Sequence, residues 1–143
     1  MSVPIISGDQ DWDVTKTFAS LTIDATRSRS FCSRNIADLA IAIQHDTALT
    51  SFLLDIRHIW LSDETGEALA TLISRNTTLT SFTLEAYGSV IGDETGTALA
   101  SAIEQNTSLR SFSVNVFETR VEDNTGMALA AAIQQNATLT SFI

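Results

Sequence analysis

Two rhythms of hydrophobic and polar residues follow one another along this chain. In the first, Phe52, Leu54 and Ile56 point one way while Leu53, Asp55 and Arg57 point the other. The same alternation returns at Phe82, Leu84 and Ala86, and again at Phe112, Val114 and Val116. A period of two with one apolar face predicts a β-strand. In the second rhythm Leu69, Leu72 and Ile73 stand at i, i+3 and i+4, as do Leu99, Ala102 and Ile103 and then Leu129, Ala132 and Ile133. That spacing predicts an amphipathic helix. Alanines fill much of the remainder, which favours helix and lets neighbouring helices approach closely.

The alternation of strand and helix keeps strict time. LTSF occurs at Leu49–Phe52, Leu79–Phe82 and Leu139–Phe142, with LRSF at Leu109–Phe112, and each start lies 30 residues after the last. This defines full units at 49–78, 79–108 and 109–138 and a partial one at 139–143. An earlier, degenerate unit covers 18–48, where Phe18-Ala-Ser-Leu21-Thr-Ile23 aligns with Leu49-Thr-Ser-Phe52-Leu-Leu54. One strand and one helix cannot bury their own apolar faces. Stacking such units side by side builds a parallel sheet with a layer of helices behind it. Residues 1–17, with Val3, Ile5, Ile6 and Trp12, are expected to fold over the first strand as a cap.

The helix ends carry their own signals. Ser62-Asp-Glu-Thr, Gly92-Asp-Glu-Thr and Glu122-Asp-Asn-Thr place capping and acidic side chains where free N–H groups and the positive dipole end lie. Asn76, Asn106 and Asn136 follow the last apolar helical residue, and Asn tolerates the left-handed conformation that stops a helix. All three head glycosylation sequons, but their common repeat position marks them as structural. Gly66, Gly96 and Gly126 precede the first leucine of each stripe by three residues. They are expected to let the helix pack close to the sheet.

These residues resemble a known family. Leu79-Thr-Ser-Phe82-Thr-Leu84 fits the leucine-rich repeat strand pattern, with Phe at the second Leu, and Ile91–Leu109 looks like the helical half of ribonuclease-inhibitor-type repeats. The resemblance covers 18–143 and implies an α/β leucine-rich repeat solenoid: a curved parallel sheet on the concave face, helices on the convex face, and protein binding on the concave face. Arg57, Tyr87 and Phe117 stand where the family has an Asn. The strand is therefore expected to run on for a few residues, into a roomier turn and without the usual side-chain ladder.

Composition narrows the partners. With 17 Asp and Glu against 8 Lys and Arg, the net charge is −9, and such a surface repels phosphate backbones and anionic lipid. Neither nucleic acid nor membrane is expected to bind. The N-terminus has no basic n-region, and no apolar run approaches the about 18 residues of a membrane span. A single cysteine, Cys32, rules out an internal disulfide and points to a reducing compartment, either cytoplasmic or a host cytoplasm entered without a classical signal peptide.

Candidate chemistry lies between the repeating apolar positions. Residues facing out of the sheet form columns: Leu53, Thr83 and Ser113; then Asp55, Glu85 and Asn115, preceded by Asp24; then Arg57, Tyr87 and Phe117. Two aromatics with an arginine match the composition of protein hot spots, and the acidic column beside them favours a basic partner or peptide. Leu53, Asp55, Arg57, Glu85, Tyr87, Asn115 and Phe117 are therefore the candidate partner-binding residues. Trp60 is expected to be buried against the first helix layer, with a second binding anchor as the alternative. Leu139, Phe142 and Ile143 end the chain halfway through a strand. Either a longer protein continues there, or that edge pairs with a second copy as a homodimer.

A non-catalytic protein-interaction module without cofactor or metal is the reading these features support best. The alternatives are a repeat fragment of a larger protein or bacterial effector whose activity lies elsewhere, and a cysteine hydrolase using Cys32 with His45 or His58. The carboxylates of the Asp-Glu-Thr segments recur at every helix start and read as caps. Gly66, Gly96 and Gly126 recur once per full repeat, and no phosphate-cradling glycine loop appears.

Overall fold

The computed structural model describes residues 5–6, 18–27 and 33–143. Cys32, Val3 and Trp12 lie outside the described residues, as does most of the 1–17 segment. The chain forms β1 (Ile5–Ile6), β2 (Ser20–Asp24), a short 3-10 turn at Ala25–Arg27, α1 (Ser33–Ile43), β3 (Ser51–Asp55), α2 (Asp63–Arg75), β4 (Ser81–Glu85), α3 (Asp93–Gln105), β5 (Ser111–Asn115), α4 (Asp123–Gln135) and β6 (Ser141–Phe142). All six strands lie parallel in one open sheet in chain order. It is an α/β repeat solenoid. β1 pairs with β2 at the sheet's first edge.

The register turns the sequence period into lateral neighbours. Phe52 lies beside Phe82, Phe82 beside Phe112 and Phe112 beside Phe142, while Leu21 takes the same place in β2. A shift of one residue would move every inward side chain to the other face, so the alternation pins the pairing. The four rings form one ladder with centroids 5.7, 5.5 and 5.6 Å apart, within the range of favourable aromatic contacts. Phe52, Phe82 and Phe112 are essentially solvent-free, and the helical stripe Leu69, Leu72, Ile73, Leu99, Ala102 and Ile103 closes the core over them. Burying each such side chain contributes about 1.5–3 kcal/mol. In the last full unit Leu109, Phe112 and Ala132 are still fully buried, whereas Ile133, and Phe142 and Ile143 of the partial unit, are exposed.

Three expectations about the connections are corrected. Gly66, Gly96 and Gly126 do not make room for the sheet. A Cβ on Gly66 would sit 2.3 Å from Oγ1 of Thr95, and one on Gly96 would sit 2.1 Å from Oγ1 of Thr125. The close approach is thus between one helix and the start of the next. Gly126 meets nothing within 4 Å.

The asparagines do not enter the left-handed region either: Asn76, Asn106 and Asn136 have φ of −74°, −75° and −72° with extended ψ. Their side chains build a ladder instead. Asn106 Nδ2 donates to the carbonyls of Ile73 at 2.6 Å and Asn76 at 3.2 Å, while its Oδ1 accepts from the N–H groups of Ser108 at 2.8 Å and Leu109 at 2.6 Å. Asn76 and Asn136 repeat these bonds one unit either way. Each Asn satisfies carbonyls orphaned at the preceding helix end. The sequon position is therefore a buried cross-link between units.

The strand segments end at Asp55, Glu85 and Asn115, short of the extension anticipated. Backbone pairing does continue, with the His58 N–H donating to the Tyr87 carbonyl and the Gly88 N–H to that of Phe117, both at 3.0 Å. A tight turn then follows at His58, Gly88 and Glu118, all at positive φ. Of the expected caps, Ser62 accepts from the Thr65 N–H, whereas Gly92 and Glu122 make no side-chain cap bond. Asp93 instead reaches forward and accepts from the N–H of Glu122 and the hydroxyl of Thr125.

Candidate functional site

The helix-free face of the sheet is built by the strand positions that alternate with the core. Leu53, Thr83 and Ser113 form one row in register, and Asp55, Glu85 and Asn115 the next, with Asp24 beside Asp55. Asn115 Nδ2 donates to the Glu85 carboxylate at 3.2 Å. Arg57 closes back on Asp55, its Nε donating to Oδ1 at 2.9 Å and its Nη2 to Oδ2 at 2.7 Å. The Asp55 carboxylate holds the Arg57 guanidinium above its ordinary pKa, so the fork is a fixed cation at one end of an acidic row.

The third row lies in the turns that follow the strands. Tyr87 and Phe117 stack with centroids 5.8 Å apart and planes 13° from parallel, and His58 meets Tyr87 edge-on at 5.3 Å. Phe117 is 67% exposed. Gly88 (φ +64°) is demanded twice at this point: L side chains rarely adopt that backbone, and a Cβ there would sit 2.5 Å from Nδ1 of His58. The neighbouring Glu118 carboxylate favours the protonated Tyr87 phenol and raises its pKa. The structure therefore gathers all seven sequence-selected residues, Leu53, Asp55, Arg57, Glu85, Tyr87, Asn115 and Phe117, onto one face and its rim. His58, which joins the stack, was not among them; its aromatic ring and its place in the turn were the available signal.

Trp60 corrects another expectation: it is 62% exposed rather than buried under the helices. It pairs with Val90 in a parallel bridge between consecutive loops. The next residue, Leu61, takes the buried place, as does Ile91 one unit later. Together these loops and the helix starts line an open groove of about 710 Å³ that includes Trp60, Val90, Asp63, Glu64, Glu94 and Arg120.

At the far edge, β6 pairs through Ser141 and Phe142 with β5. Leu139 is partly buried against the core, while Phe142 is 37% and Ile143 77% exposed. His45 lies just past α1 and His58 across the sheet in the aromatic row, so the two sit at opposite ends of their repeats. Among the described residues no group of three or more His, Cys, Asp and Glu is placed to hold a metal ion, and no helix is long and apolar enough to cross a membrane.

No family model matches the chain, and no curated protein matches its sequence. Among solved structures the fold is similar to the chain titled Leiomodin-1 Actin-Binding Site 2, with a TM-score of 0.66 at 20% identity. The match covers 79% of this chain and 63% of that one. It identifies a shared repeat architecture.

Proposed function

We propose that this chain is a non-catalytic interaction module of the leucine-rich repeat type, taking a protein partner on its strand face. The observation that supports the reading best is the His58–Tyr87–Phe117 stack, an aromatic row left largely open beside the Arg57–Asp55 fork. Rigid aromatics lose little conformational freedom on binding, and aromatics and arginine are enriched among the residues that dominate interface energetics. The Asp55–Glu85 row alongside supplies attraction for a basic partner segment. The solved neighbour is by name a protein-binding site, which is in keeping with this role. A likeness of fold does not carry actin over to this chain.

The test is a pull-down with the immobilised chain and its Tyr87→Ala/Phe117→Ala variant, with circular dichroism confirming that both are folded. Capture of a defined protein by the parent and its loss in the variant is expected. Equal capture by both removes the aromatic row from the interface. The hydrolase alternative is separated by a thiol-reactive probe: a catalytic Cys32 labels rapidly at neutral pH, because its thiolate is the nucleophile.

A further inference from the structure

The groove between the strand-to-helix loops lies apart from the strand face, and acidic residues outnumber the basic one in its lining. Its apolar floor carries Trp60, 62% exposed, and Val90, 37% exposed, held side by side by their backbone bridge. Large apolar side chains on the surface of a small soluble protein are informative when they sit together in a concavity. The rim is acidic. Asp63, Glu64 and Glu94 lie in the first turns of α2 and α3, and none of their carboxylates has a hydrogen-bond or ion-pair partner among the described residues. Asp93, by contrast, is already engaged by Glu122 and Thr125.

The positive end of the α2 dipole offsets only about half a unit charge, against the two carboxylates of Asp63 and Glu64. The groove therefore keeps a negative potential at its Trp60 end. Arg120, bridged to Gly92, is the basic residue of the lining and has Glu122 two residues further on in the same groove.

We propose that this groove docks a basic, partly apolar segment of a protein partner, with a partner arginine or lysine lying on the Trp60 ring between the carboxylates of Asp63 and Glu64. A cation over an indole face beside anionic groups gains from both the ring quadrupole and the carboxylates. An adjacent aliphatic side chain of the segment covers Val90. The charge of the occupant follows from the surplus of unengaged carboxylates, and its apolar part from the exposed tryptophan and valine. This surface is independent of the Tyr87–Phe117 row, and the two readings fail separately.

The probe is an acetylated, amidated octapeptide alternating arginine and leucine, titrated into the full chain. Calorimetry reads the affinity, and the indole Nε1–H resonance, assigned by its loss in Trp60→Ala, reads the location. The indole resonance is expected to move on titration. Trp60→Ala and Asp63→Asn/Glu64→Gln should each weaken binding by about tenfold. Glu67→Gln/Glu104→Gln removes the same charge from exposed helix positions outside the groove and should change affinity less than about twofold. Tyr87→Ala/Phe117→Ala should leave it unchanged.

Equal weakening by the two carboxylate pairs would overturn the proposal in favour of diffuse attraction. So would a stationary indole resonance, or equal binding of a peptide with glutamate in place of arginine. Loss of binding only in the Tyr87/Phe117 variant would move the peptide to the strand face, refuting the groove while supporting the proposed function. Trp60 is exposed, so its substitution tests binding without removing core.

Discussion

Alanine substitution at the three equivalent glycines should give unequal effects in nearly identical sequence contexts. Inside a helix, Gly→Ala is ordinarily stabilising by about 0.5–1 kcal/mol. At Gly96 the added Cβ would lie 2.1 Å from Oγ1, 2.4 Å from Cγ2 and 2.8 Å from Cβ of Thr125. Rotating the threonine about χ1 moves the first two atoms but leaves its Cβ in place, so α3 and α4 must shift apart. Overpacking of this kind costs about 1–3 kcal/mol. Subtracting the propensity gain leaves Gly96→Ala between about neutral and about 2.5 kcal/mol destabilised, and short of the gain expected at an open site. Gly66→Ala should behave alike, because its Cβ would meet Thr95 at 2.3 and 2.8 Å. Gly126 has open space around it, so Gly126→Ala should stabilise by about 0.5–1 kcal/mol. Urea unfolding at neutral pH reads all three, and in a domain of this size each kcal/mol moves the thermal midpoint by about 2–4 °C. Stabilisation at all three sites would refute helix-to-helix contact as the reason for the glycines.

Other features of the stack are open to similar tests. Asn106→Ala should cost about 2–4 kcal/mol in urea unfolding, since Asn106 is 4% exposed and its loss leaves buried carbonyl and N–H partners unpaired; Asn136→Ala, in the more open last unit, should cost less. Phe82→Ala should cost about 3–5 kcal/mol by opening a cavity in the middle of the aromatic ladder. The Thr125 hydroxyl and the Glu122 N–H hold the Asp93 carboxyl below its ordinary pKa of 3.8. A depressed carboxylate contributes stability above that ordinary value and loses it as pH falls through the folded one. Asp93→Asn should therefore lose less stability than the parent between pH 5 and pH 3, read from urea midpoints. We propose that the β6 edge, with Leu139, Phe142 and Ile143, pairs with a second copy; light scattering showing only monomer at high concentration would remove that idea.

The residues that carry the candidate strand face were legible because a parallel, in-register sheet makes repeat position and spatial row the same thing. Once LTSF is seen to recur every 30 residues, Tyr87 and Phe117 must be neighbours, and the structure stacks them. Trp60 was misplaced for a local reason. Apolar character alone does not say which of two adjacent loop residues turns inward. Comparison across repeats does: Leu61, Ile91 and Val121 are uniformly apolar, whereas the positions of Trp60, Val90 and Arg120 are mixed. The groove was not anticipated because it arises between loops of different units.

What the sequence determined by itself is the repeat, the alternation of strand and helix, the inward faces and the surplus of negative charge. Periodicity carries these, since each depends on one unit seen many times. Tertiary structure alone decided what the invariant polar residues are for. The partners of Asn76, Asn106 and Asn136 lie 30 and 33 residues back, and the contacts of Gly66 and Gly96 lie in the helix ahead. A single unit read along the chain shows these residues at helix boundaries, where capping and flexibility are the ordinary explanations. Their roles as cross-links and close contacts exist only once one unit is stacked on the next.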